Sequence, residues 1–140
     1  MKYGFCVNVL SDDALIRRVE RAKYDFIEFP LAPVAQSTDA EFDALVQKLS
    51  GCPLPLLCCN CMFPAEIRLT GPEVDISRVR TYADRALARA AKLGARKVVL
   101  GSAGARNVPE GYPVERAYPE FAELLKRAVV PAAARSGIVV

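Results

Sequence analysis

The chain has 140 residues, 52% of them hydrophobic and 25% charged, and carries a net charge of +3. This composition fits a soluble globular protein without a low-complexity tract, and no run of about 18 apolar residues is present to span a membrane. Lys and Arg are scattered along helical patterns without interleaved aromatics, which gives no support to nucleic-acid binding.

Met1 to Asn8 carries a single Lys and is too short and polar for a secretory signal, so a cytoplasmic protein is expected. A first strand is predicted over Lys2 to Val7, then a helix from Asp12 to about Lys23, with Ser11 or Asp12 as its cap and Leu15, Ile16 and Val19 on its inner face. The second strand, Phe26 to Phe29, ends at Pro30. Thr38 and Glu41 stand in capping-box spacing ahead of a helix that buries Phe42, Leu45, Val46 and Leu49 and stops at Gly51. A third strand runs from Leu54 to Cys61, delayed by Pro53 and Pro55.

A long loop from Met62 to Val74 follows. Asp75 then caps a helix in which Ile76, Val79, Ala83, Ala86, Leu87, Ala90 and Leu93 recur on one face, ended by Gly94. Lys97 to Leu100 form the fourth strand, Gly101 to Ala117 a second long loop, and Pro119 to Arg135 a helical region broken near Pro131. After Gly137, Ile138 to Val140 open a fifth strand with no helix to cover it.

Four strand–helix units of about 34 residues extrapolate to roughly 270 residues for eight, the scale of a (β/α)₈ barrel. The expected fold is therefore α/β, with parallel (β/α) repeats forming about the first half of such a barrel, in one domain over residues 1–140. Long loops after strands three and four, with short turns back into strands, fit chemistry at the C-terminal ends of the strands. A five-stranded flavodoxin-like sheet is the rival fold, but it would call for a fifth helix. A receiver-type phosphorylation domain fits poorly, since the third strand ends in Cys59-Asn60-Cys61 with no Asp.

Gly101-Ser102-Ala103-Gly104-Ala105-Arg106, directly after a strand, brings backbone N–H groups, a hydroxyl and a guanidinium together, the parts of an anion site. A flexible turn with a surface Arg is the plainer alternative. Five cysteines, three of them in the run Cys58-Cys59-Asn60-Cys61, are expected to be reduced thiols packed in a sheet, with Cys59 and Cys61 on one face and Cys58 on the other. Four-ligand zinc is not favoured there. With no histidine anywhere, neither a Ser–His nor a Cys–His nucleophile pair can be built.

The block from Val98 to Tyr112, Val-Val-Leu-Gly-Ser-Ala-Gly-Ala-Arg-Asn-Val-Pro-Glu-Gly-Tyr, resembles the fourth-strand region of the xylose-isomerase-like sugar phosphate isomerase/epimerase family. Tyr24 to Phe29 resembles its second strand, Asn60 with Phe63-Pro64 its third, and Leu69 to Asp75 the loop that follows. The resemblance covers the family's N-terminal half. It implies a TIM barrel that uses a divalent metal (Mg, Mn, Co or Zn), held by Glu, Asp, His and Glu, to assist proton transfer beside a sugar carbonyl. The first of those ligands is expected at the end of strand five, beyond Val140, so this chain alone is expected to bind no metal and to be inactive.

Glu28, between Ile27 and Phe29, is then expected to hydrogen-bond a sugar hydroxyl or support a metal site, and otherwise to be a structural carboxylate. Asn60 is read as a hydroxyl ligand or a loop anchor. The substrate-binding candidates are Glu28, Asn60, Gly101, Ser102, Gly104 and Arg106, and the expected partner is a small sugar or sugar phosphate. Self-association or a complementary half-barrel is expected from open sheet edges. The alternative is a non-catalytic half-barrel that binds a phosphorylated or acidic sugar.

Overall fold

The computed structural model describes residues 1–8, 10 and 13–140. Four parallel strands form one sheet: β1 (Gly4–Cys6), β2 (Phe26–Pro30), β3 (Leu56–Asn60) and β4 (Lys97–Val98), in the order β1-β2-β3-β4. Sequential order is that of a barrel wall, whereas a flavodoxin-like sheet would place β1 between β2 and β3. Val139 then bridges in parallel to Lys97: Val98 N–H donates to Val139 O at 2.8 Å and Val139 N–H to Arg96 O at 3.0 Å. The expected fifth strand thus begins at the free side of β4. The fold is four parallel strands consistent with half of a TIM barrel.

β1, β3 and β4 are shorter than the strands expected from the sequence, whereas β2 runs one residue further, through Pro30. β3 starts only at Leu56 because Pro53 and Pro55 donate no ladder hydrogen bond. Its pairing with β2 carries a bulge: Ile27 faces Leu56 while Glu28 faces Cys58, so Leu57 is the extra residue. This bulge re-aims β3 so that a thiol, not an apolar side chain, lies opposite Glu28.

The helices begin where local chemistry says they should. The cap expected at Ser11 or Asp12 lies outside the described residues; α1 is Asp13–Arg21, burying Ile16 and Val19. In α3 (Asp39–Ser50), Glu41 N–H donates to Thr38 Oγ1 at 3.2 Å and Thr38 N–H to Glu41 Oε2 at 2.7 Å. This reciprocal box satisfies two orphan donors and holds the Glu41 carboxyl below its ordinary value, mainly through the Thr38 backbone bond. Asp75 likewise accepts from Ser77 and Arg78 N–H at the start of α4 (Ile76–Lys92). Gly94 and Gly137 follow α4 and the last helix at φ of 95° and 63°, the left-handed region open to glycine.

Between β2 and α3 lies a helix the periodicity did not announce, α2 (Leu31–Gln36). Pro33 is tolerated in its first turn, and Ala32 N–H is taken by Cys61 O at 3.1 Å. The fourth-strand loop also holds a single turn, α5 (Ala103–Arg106), and the last helical region starts earlier than Pro119, as α6 (Val114–Leu124). The expected break near Pro131 is a π turn over Leu125–Val129 that leads into α7 (Val130–Ser136). Widening the turn there accommodates a proline that offers no N–H.

Ile27, Phe29, Cys59 and Val98 are buried on the helix-covered face of the sheet with Val79, Ala83, Ala86, Leu87 and Ala90 of α4. Arg89 of α4 is itself only 6% exposed. Its guanidinium donates to Val34 O at 2.7 Å, Ser37 O at 2.8 Å and Asp39 Oδ1 at 2.6 Å, and lies 4.5 Å above the Phe42 ring. It therefore closes the orphan carbonyls at the end of α2 and joins that end to the start of α3.

Candidate functional site

The opposite face of the sheet carries the polar groups. Strand alternation sends Cys6, Glu28, Cys58, Asn60 and Lys97 to that face, with Cys6 opposite Glu28, Glu28 opposite Cys58, and Cys58 opposite Lys97. Glu28 is its centre. Its Oε1 accepts from Asn60 Nδ2 at 3.0 Å and its Oε2 from the Cys58 thiol at 3.0 Å, while Asn60 Nδ2 also lies 3.4 Å from Cys6 Sγ. Asn60 and Glu28, both singled out from the sequence, are in direct contact.

Cys58 was not among the site residues singled out; the three neighbouring cysteines are free thiols, Cys58 and Cys59 lie on opposite faces as expected, and only Cys59 is fully buried. Cys59 is buried beneath the helices, Cys58 is half-buried on the open face, and Cys61 is exposed. Cys61 does not share a face with Cys59 because the chain turns out of the strand at Cys61, at φ 45°. Burial, reinforced by the Glu28 hydrogen bond and charge, pushes the Cys58 thiol up to about 12, and burial does the same for Cys59. Cys58 is therefore a thiol donor at neutral pH. The bulge at Leu57 was the signal that could not be read from alternation alone.

At the mouth of β4 the sequence-predicted loop is brought together with the loop after β3. Gly101 lies at φ 50°, and a Cβ there would approach Cys61 N to 3.2 Å; a Cβ on Gly104 would meet Ala65 Cβ at 2.9 Å. Both glycines thus permit close approach of the two loops. Ser102, at φ 58° and buried, donates to Leu100 O and accepts from Phe63 N–H at 2.8 Å. Arg106 Nε donates to Gly101 O, and the N–H groups of Ala105, Arg106 and Asn107 return to Ser102 O and Ala103 O.

Arg68, which sequence reasoning passed over, locks this corner. Its guanidinium donates to Gly104 O at 2.7 Å and to Asn107 O at 2.5 Å, and Thr70 Oγ1 donates to Asn107 O at 2.8 Å. Glu28 and Asn60 form one cluster; Gly101, Ser102, Gly104 and Arg106 form another at the adjacent strand end.

The donor set at Glu28 does not compose a divalent-metal site. The Cys58 thiol is held protonated and Asn60 is turned as a donor, so neither adds an anionic ligand to the carboxylate. Among the described residues no group of three His, Cys, Asp or Glu side chains gathers to hold a metal ion. Among those residues, too, no helix is long and apolar enough to cross a membrane.

Several solved structures share this fold. D-psicose 3-epimerase from Clostridium cellulolyticum H10, crystallised with D-tagatose, superposes with a TM-score of 0.74 at 19% identity over 99% of this chain and 50% of its own. The 3-keto-D-glucoside 4-epimerase YcjR from E. coli superposes at 0.70 with 14% identity, over 100% of this chain and 54% of its own. A Thermus thermophilus protein whose crystal was soaked with ZnCl2 is 26% identical, with a TM-score of 0.65 over 98% of this chain and 52% of its own. The chain therefore spans about half the length of the structures it matches. No curated protein matches it. The sequence matches the xylose isomerase-like TIM barrel family over residues 16–140, and the chain belongs to that family.

Proposed function

We propose that the chain is the N-terminal half-barrel of a sugar isomerase or epimerase and contributes its ligand-facing wall. The observation that carries this reading is the Glu28 carboxylate, bridged by Cys58 and Asn60 on the open face of a parallel sheet. A carboxylate with lone pairs to spare accepts hydrogen bonds from sugar hydroxyls, and Asn60 Oδ1 offers a second acceptor beside it. Gly101, Ser102, Gly104 and Arg106 shape the strand-four end of the same wall, with Arg106 as the side chain that extends from it. Structural neighbours that are sugar epimerases support the assignment of substrate class.

Proton transfer beside a carbonyl needs a base and an electrophile for the developing oxyanion. Glu28 could act as the first, and its surroundings supply no second, so the reaction is assigned to the complete barrel and not to these residues alone. A divalent metal would belong to ligands outside them. The five free thiols fit a reducing, cytoplasmic setting.

The expected partner is a complementary half-barrel or a second copy, favoured by the outer edge of β1, which pairs with no further strand among the described residues, and by exposed Val130, Val139 and Val140. Incubating the 140-residue chain with ketohexoses and Mg²⁺, Mn²⁺, Co²⁺ or Zn²⁺ is expected to give no epimerisation. Reproducible metal-dependent turnover by the pure chain would contradict this division of labour.

A further inference from the structure

We propose that a second copy of this chain docks onto the free flank of α6 and α7, its β1 continuing the sheet beyond Val139 and its α1 lying on the exposed helix face. This rests on the half-barrel reading and deepens it, by committing to the partner that closes the ligand wall.

The helices form a row on one face of the sheet. α4 packs against α2 on one side and against the π turn and α7 on the other. Arg116, Glu120 and Arg127 line the groove towards the start of α4. Val114, Tyr118, Phe121 and Leu125 recur on a different side of the same helical region, at the spacing of an apolar stripe. Such a stripe ordinarily faces a neighbour, yet Val114 is 62% exposed and Tyr118 77%. Leu125 continues the stripe into a hollow of about 330 Å³ that Val130, Ala134, Ile138 and Val140 also line. Stripe, hollow and the start of the fifth strand form one apolar surface with no covering element among the described residues.

A second copy carries the matching parts. Val139 uses its N–H and C=O towards β4, which by strand alternation turns those of Val140 to the outer side. β1 has an outer edge without a strand partner among the described residues, and it runs parallel to the rest of the sheet. The charges are complementary: α6 carries Glu115, Glu120 and Glu123 against Arg116, whereas α1 carries Arg17, Arg18 and Arg21 against Asp13 and Glu20. The contact also closes. A twofold axis along the strands brings the β1 flank of each copy to the α7 flank of the other, so both edges and both stripes are covered at once. The two Glu28 faces then turn to a common interior, and each copy shields the ligand wall of the other.

Sedimentation equilibrium of the 140-residue chain over a dilution series tests this. The parent should have the mass of two chains. Val130→Glu, at an exposed position of α7, and the reversal Arg17→Glu with Arg18→Glu on α1 should each weaken association at least about tenfold. Tyr118→Glu probes the same stripe should Val130→Glu not fold. A monomeric parent overturns the proposal, and so does a mass well above two chains, which would mean flanks that meet without closing. An unchanged affinity in either the stripe variant or the α1 reversal would overturn the pairing of these two flanks. Titration with D-fructose reads the ligand wall separately: a monomer that binds it keeps the wall and loses the dimer, whereas a dimer that does not bind it keeps the flank contact and loses the wall.

Discussion

Asn60 Nδ2 donates to Glu28 Oε1 at 3.0 Å and reaches Cys6 Sγ at 3.4 Å, so one side-chain amide ties three adjacent strands on the open face. The bond to an ionised acceptor is the stronger of the two. Asn60→Ala is expected to lower stability by about 1–2 kcal/mol, and Asn60→Asp by more, because it sets a second carboxylate against Glu28. Urea denaturation of the two variants checks the order. An Asp variant as stable as the parent would show that the contact is not formed in solution.

At the other end of the same face, Gly4 lies beneath Phe26. A Cβ on Gly4 would come within 2.1 Å of the Phe26 ring, so Gly4→Ala must displace that ring or the strand. We expect a loss of about 1–3 kcal/mol, largely recovered by adding Phe26→Leu. Thermal melts of the single and double variants measure the coupling; additive effects would place the two residues apart.

Arg89 separates two kinds of interaction. Its ion-pair partner Asp39 has a side chain 91% exposed, so Asp39→Ala should cost less than about 1 kcal/mol. Arg89→Met removes the donors to the Val34 and Ser37 carbonyls at the end of α2 and should cost about 2–4 kcal/mol. Equal losses in the two variants, measured by denaturant midpoint, would mean that the ion pair and not the carbonyl bonds carries the stabilisation.

The thiols predict a pH response. Cys58 and Cys59 stay protonated in the fold up to about 12, against 9.0 for an ordinary thiol. Above the ordinary value the unfolded chain loses protons that the folded chain keeps, so their contribution to stability is intact below pH 9.0 and declines as pH rises towards about 12. Alkylation near neutral pH should mark exposed Cys6 and Cys61 first and Cys58 and Cys59 last. Glu28→Gln should speed the labelling of Cys58 without abolishing its protection, since burial is the larger cause.

Features set by neighbours in sequence were legible. Thr38 with Glu41, Asp75, Gly94 and Gly137 mark helix ends through contacts within a few residues, and the long stripe on α4 named its buried face. Glu28 stood out as a carboxylate inside an apolar strand, and Asn60 as a polar strand end. Features set by distant partners were not legible. The Leu57 bulge that brings Cys58 to Glu28 depends on β2, the burial of Arg89 depends on α2, and the Arg68 clamp depends on a loop far along the chain. α2 was missed because a six-residue helix directly after a strand is too short to show periodicity.

The central claim is that the Glu28 face is the ligand wall, and amide NMR during titration with D-fructose tests it most directly. The account predicts shifts concentrated at Cys6, Glu28, Cys58, Asn60 and Lys97. Shifts concentrated instead in the groove between α6 and the loop before α4, at Thr70, Tyr112, Arg116 and Glu120, would contradict it.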